Sequence, residues 1–130
     1  MSHTTIETDA APAALGPYSQ ATALTLGDRE LLFLAGQIPL DPESGDLVAG
    51  GIEAQVEQVM RNLAAVLEAC GSDFSRVVKT TIFLRSMDDF AAVNGVYARH
   101  LGDSKPARAT VAVAGLPLGV DVEIEMVAYR

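Results

Sequence analysis

Apolar residues recur at positions 52, 56, 59, 60, 63, 66 and 67, one stripe of a helix with about 3.6 residues per turn. Gly71 ends that helix, and Glu53 and Glu57 lie toward its N-terminal end, where the helix dipole favours negative charge. A second stripe, Phe90, Val93, Tyr97 and Leu101, follows Ser86-Met87-Asp88-Asp89, whose Ser-x-x-Asp spacing marks a helix start. Arg99 and His100 fall in its last turn, as the dipole prefers. Elsewhere the period is that of strands. Ala21–Leu26 and the nearly all-apolar Leu31-Leu32-Phe33-Leu34-Ala35 flank the reversal Gly27-Asp28-Arg29-Glu30 and read as a hairpin. Val77–Leu84 is β-branched and apolar, with Lys79 and Thr81 alternating through it. Segments 106–113 and 120–129 supply two more strands, joined across Gly115-Leu116-Pro117-Leu118-Gly119. Asp41-Pro42-Glu43-Ser44-Gly45-Asp46 is a loop, with Leu47-Val48 a short strand beyond it.

The predicted order is ββαβαββ, an α+β domain with a mixed sheet. Two amphipathic helices cover only one face of a sheet of about five strands. The other face is not prepared for water: Leu31 to Ala35 is apolar on both sides, and Ala109, Val111 and Val113 alternate with Thr110, Ala112 and Ala114. The expectation is a closed homo-oligomer whose sheets pack together.

Length and composition fit one domain over residues 1–130, with no break, repeat or low-complexity tract. The net charge of −8 repels phosphate backbones and anionic membrane surfaces, so neither nucleic acid nor membrane is an expected partner. A single cysteine supplies no internal disulfide and no Cys-rich metal site, and the first ten residues lack the basic and apolar regions of a secretory signal. A cytoplasmic location is the expectation.

Few residues carry candidate chemistry. Arg108 begins an otherwise apolar strand, and its planar fork of donors matches a carboxylate in two parallel hydrogen bonds. An internal ion pair or an exposed edge charge satisfies the same pattern. Asp121, Glu123 and Glu125 alternate with apolar residues and share one face, either solvated or with one carboxylate aimed into a cleft to work on water. Asn94 shares the apolar side of the second helix, where binding a neighbouring backbone is its commonest role, and Tyr18 either lines a pocket or fills core. Cys70 reads as a small core residue, and His3 and His100 have no metal-like spacing. No phosphate-cradling glycine loop or dinucleotide fingerprint is present.

Taken together, Gly16-Pro17-Tyr18-Ser19-Gln20-Ala21, Gly36-Gln37-Ile38-Pro39-Leu40, Val78-Lys79-Thr80-Thr81-Ile82-Phe83-Leu84, Asp89-Phe90-Ala91-Ala92-Val93-Asn94, Pro106-Ala107-Arg108 and Glu123-Ile124-Glu125 resemble the RidA/YjgF family of reactive-intermediate deaminases, in family order and over nearly the whole chain. The resemblance implies a chorismate-mutase-like α+β fold and a homotrimer with three equivalent clefts between subunits. It implies hydrolysis of 2-imino acids, such as 2-iminopropanoate and 2-iminobutanoate, to 2-oxo acids and ammonia, with no metal and no organic cofactor. It places the carboxylate-binding arginine on Arg108 and the water-positioning glutamate on Glu123. Tyr18, Gly36, Asn94 and Thr110 fall on substrate-binding positions. Ala35 stands where serine is frequent, Thr110 where cysteine is frequent, and Gly115 where arginine is frequent at a rim or interface. The alternative is a trimeric small-ligand or partner-binding protein of the same fold without deaminase activity.

Overall fold

A computed structural model describes residues 2–130. Its elements are β1 (His3–Ile6), β2 (Ala21–Leu26), β3 (Arg29–Gln37), α1 (Ile52–Ala69), β4 (Val77–Leu84), α2 (Phe90–Leu101), β5 (Ala107–Ala112) and β6 (Val122–Tyr129). The α+β class and the two helices are as the periodicities predict. The order needs one correction: it is βββαβαββ, because His3-Thr4-Thr5-Ile6 adds an edge strand against β2. Only Ile6 of that strand is partly buried, so no apolar alternation announced it. Leu47 forms an isolated bridge to Leu40 rather than a strand. Ser86 caps a single 3-10 turn, Met87–Asp89, and α2 begins directly after it.

The six strands run β1-β2-β3-β6-β4-β5. β4 and β5 are parallel because α2 carries the chain back across the sheet between them; every other pair is antiparallel. Both helices pack on one face. Val56, Val59, Met60, Leu63, Val66 and Leu67 of α1, with Val93, Val96, Tyr97 and Leu101 of α2, meet the buried strand residues Leu32, Leu34, Ile82, Leu84, Val122, Ile124 and Met126. Each large apolar side chain so buried contributes about 1.5–3 kcal/mol, and this layer is the main source of stability. On the opposite face Phe33, Val111 and Tyr129 are 43%, 43% and 37% exposed, with Leu31, Phe83 and Val127 half-buried beside them. In a lone chain that apolar face meets water.

Two local features set where charged side chains lie. Leu34 pairs with Met126 and Gln37 with Ile124, so β3 takes three steps where β6 takes two. The extra residue makes a bulge at Ala35-Gly36, which bends β3 and re-aims its side chains. At the other end of the sheet, Arg130 exchanges backbone hydrogen bonds of 3.0 Å with Glu30, and its side chain donates to Glu30 Oε1 and to the Cys70 carbonyl, both at 2.7 Å. The Cys70 carbonyl is one that the end of α1 leaves without a helical partner, and Gly71 turns the chain away at φ 71°. Arg130→Ala is expected to lower stability by about 1–2 kcal/mol, read as an earlier urea midpoint at unchanged m-value.

Candidate functional site

β5 presents Arg108 opposite Thr80 of β4, on the face that the helices cover. The guanidinium lies against α2: Nη1 donates to Asn94 Oδ1 at 2.6 Å, and Cζ stands 5.2 Å from the centre of the Tyr97 ring and 5.7 Å from that of Phe90. Phe90, Asn94 and Tyr97 are one helical stripe, so a single turn-spaced row supplies every one of these contacts. Among the described residues no carboxylate lies within ion-pair distance of Arg108. The internal ion pair that the strand pattern allowed is not formed, and Asn94 serves the arginine rather than a loop backbone. Two residues on and on the same side, Thr110 carries a buried hydroxyl without a hydrogen-bond partner among the described residues. An adjoining pocket of about 350 Å³ includes Arg108, Asn94, Tyr97, Leu101, Lys105 and Pro106 in its lining.

Glu123 lies on the other face. It pairs with Phe83 of β4, one position out of step with the buried Ile82 and Ile124. The β3 bulge brings Gly36 against it so closely that a Cβ there would overlap the carboxylate oxygen Oε2 and lie 3.0 Å from Cδ. Glycine at this position therefore makes the space that the Glu123 carboxylate occupies. Burial pushes its pKa above the ordinary glutamate value, and the nearby Glu125 adds to the rise. A pocket of about 450 Å³ opens over the carboxylate, lined by Tyr18, Ala35, Gly36, Ile38, Pro117 and Glu123. Glu125 is exposed, as a solvated face predicts, and Asp121 is tied to Gln55 at 2.9 Å and Arg85 at 3.5 Å.

The candidate residues thus form two groups: Arg108, Asn94 and Thr110 on the helix side of β5, and Tyr18, Gly36 and Glu123 on the uncovered side at β3 and β6. With β4 between β5 and β6 the two strands are roughly 10 Å apart, and the side chains diverge further. One chain does not bring the arginine and the glutamate to a common ligand. The arginine half offers a cation with unspent donors, and the glutamate half a desolvated base above an apolar pocket.

Sequence reading missed the supports of both groups. Tyr97 and Phe90 read only as apolar stripe, although Asn94 placed between two aromatics on one row is a recognisable signal. Asn62 is buried in α1 and donates to the carbonyls of Ile38 at 3.3 Å and Leu40 at 2.9 Å, fixing the segment that walls the Glu123 pocket. A polar residue inside an apolar stripe was the available clue. Cys70 is buried, as expected of a core residue, and His100 pairs with Glu57 at 3.0 Å.

The model of the family described as Endoribonuclease L-PSP matches residues 8–130. The chain is 52% identical over 128 residues to Protein DfrA of Myxococcus xanthus, covering 98% of this chain and 96% of that protein. It is 49% identical over 125 residues to the 2-iminobutanoate/2-iminopropanoate deaminase of Mus musculus, covering 96% and 90%. The crystal structure of RidA from an Antarctic Psychrobacter superposes with a TM-score of 0.88 at 44% identity, over 98% of this chain and 99% of that one.

The raised pKa of Glu123 sets a pH dependence. The folded chain holds this proton more tightly than the unfolded chain, so the group's contribution to stability is greatest at acid pH and is lost as pH rises through the raised value. Glu123→Gln is expected to raise the melting temperature at about pH 7.5 and to give little gain near pH 3.5, as thermal unfolding across that range will show.

Proposed function

The chain belongs to the Endoribonuclease L-PSP family, the RidA/YjgF group, and from that membership and its two half-sites we propose that it hydrolyses 2-imino acids to 2-oxo acids and ammonia at sites completed by a neighbouring copy. The observation that carries this reading is the guanidinium of Arg108, braced by neutral groups and without an acidic partner among the described residues. A substrate carboxylate is the natural occupant of its free donors. The Thr110 hydroxyl, also unpartnered, offers a further hydrogen bond on the same side.

The reaction asks little else of the protein. A protonated 2-imino acid has an electrophilic C=N carbon. Glu123 of an adjoining copy, ionised and desolvated, takes a proton from water as the oxygen bonds to that carbon. The same proton then passes to nitrogen; the carboxylate takes the remaining hydroxyl proton as the C–N bond breaks, the C=O bond forms and ammonia leaves, and that proton departs with ammonia as ammonium. Free imines already hydrolyse in water, so positioning the carboxylate and one water supplies a modest barrier reduction. The uncovered sheet face, which carries Phe33, Val111 and Tyr129 as well as Glu123, supports burial against another copy, and a homotrimer is the proposed assembly. The family description also names an endoribonuclease, but a net charge of −8 offers poor company for an RNA backbone.

The test generates imines with an amino-acid oxidase, traps them with semicarbazide, and measures whether the protein lowers the trapped yield. Wild type is expected to compete with the trap, Arg108→Met to lose at least about a hundredfold, and Gly36→Ala to lose about tenfold or more while retaining its fold, because the new methyl displaces a flexible carboxylate. An unchanged yield with wild type rejects the reading. Shared sites make a second demand: Arg108→Met and Glu123→Gln subunits, unfolded together and reassembled in equal amounts, should regain about one quarter of wild-type activity, since that share of sites has both native groups. No recovery in mixed assemblies, verified by mass, rejects the placement of the site between copies.

A further inference from the structure

Tyr97 is buried in the core of α2, yet its ring face lies nearer the Arg108 guanidinium than any other aromatic ring. Its hydroxyl meets Thr80 Oγ1 at 2.9 Å, and both residues are buried. Thr80 is the register partner of Arg108, so the anchor of the ring sits on the neighbouring strand directly beside the arginine that the ring supports. This bond is the only side-chain hydrogen bond of either group among the described residues, and breaking it would strand a buried hydroxyl. The parallel register of β4 and β5 thus sets the anchored ring beside the guanidinium.

The chemistry of the support is selective. A carboxylate would hold the arginine more strongly, but it would occupy the donors and neutralise the charge that a substrate needs. An aromatic face attracts the cation through its quadrupole and takes none of the N–H groups. Asn94 takes one donor and adds no charge.

We infer that Tyr97, held by Thr80, is a positioning residue for Arg108: its ring fixes the guanidinium in the orientation that receives a small carboxylate and leaves its donors unspent. The inference rests on the proposed imine hydrolysis only for its kinetic consequence; the binding consequence stands by itself. Calorimetric titration with 2-oxobutanoate, a stable 2-oxo acid, separates the two.

Tyr97→Leu is expected to weaken 2-oxobutanoate binding and raise KM for the imine by roughly five- to tenfold, with kcat within about twofold. Tyr97→Phe keeps the ring and loses only the anchor, so it should lose about threefold, as Thr80→Val does, and recover most of what Tyr97→Leu loses. Thr80→Val keeps the shape and removes the anchor; a loss of about threefold is expected, and this variant decides the matter if Tyr97→Leu fails to fold. A merely structural role would lower melting temperatures and leave affinity and KM alone. Tyr97→Leu or Thr80→Val binding with wild-type affinity overturns the inference, as does Tyr97→Phe losing as much as Tyr97→Leu. If wild type binds 2-oxobutanoate through Arg108 but does not hydrolyse imines, the activity falls and the cradle is still judged by affinity. If wild type binds no 2-oxobutanoate, the cradle falls too.

Discussion

Successive residues of a strand face opposite sides of a sheet, and the pairing of β5, β4 and β6 fixes which residues share a side. Arg108 aligns with Thr80, and Thr80 with Met126, all toward the helices; Glu123 aligns with Phe83, and Phe83 with Val111, all away from them. A slip of β6 by one position against β4 would bring the carboxylate to the side of the cation and would also turn Ile124 and Met126 outward. The hydrophobic core therefore enforces the side on which the carboxylate lies, and the β4–β5 pairing sets that of the arginine. The same core leaves the Glu123 side of the sheet without helices, so the constraint that divides the chemistry also provides the apolar surface on which another copy would rest.

Among the described residues neither charged group is held by an opposite charge. Arg108 sits on aromatic faces and an amide instead of a carboxylate, and Glu123 is half-buried with a raised pKa and the like charge of Glu125 close by. The placing of Glu123 is not what stability alone would select, because an exposed carboxylate or an apolar substitute would be less costly. The supports around them are, by contrast, well satisfied. Asn62 fills its donors with the carbonyls of Ile38 and Leu40 and accepts from Gln58 at 2.8 Å, and Gln20 donates to three carbonyls of the preceding loop. Desolvation falls on Glu123, and a satisfied polar network at Asn62 holds the wall of its pocket.

How much of this was legible depends on which forces are local. The stripes of α1 and α2 and the alternation of β4 and β6 show in the sequence because burial repeats along a regular element. β1 did not show, since four mostly exposed residues gain their structure from pairing with β2 and carry no apolar period of their own. Likewise Arg108 and Thr110 were predictably on one side, two residues apart in one strand, whereas their side relative to Glu123 depends on ladder registers that no local pattern encodes. The bulge at Ala35-Gly36 is a similar case: the glycine was visible, but the overlap with Glu123 that requires it is a contact between strands. Roles for Tyr18, Gly36 and Asn94 came from family resemblance, because neither spacing nor composition distinguishes a pocket tyrosine from a surface one.

The helix that braces the arginine is itself tied down at both ends. Beyond Tyr97, His100 meets Glu57 of α1 at 3.0 Å and stacks edge-on against Phe74, while Arg61 reaches the same glutamate at 2.9 Å. The hydrogen bond from His100 is the leading reason that the Glu57 pKa lies below its ordinary value, so this junction favours the ionised carboxylate. At the other end, Phe90 opens α2 directly from the Ser86-capped turn that comes after β4, so the first aromatic of the cradle inherits its place from the strand that carries Thr80. An arginine on an edge strand would ordinarily sample many rotamers, at a cost of about 2 kcal/mol when it is finally ordered by a ligand. Fixing the row of Phe90, Asn94 and Tyr97 at both ends moves that ordering from the binding step to the folding step, where the large apolar core of α1 and α2 supplies it.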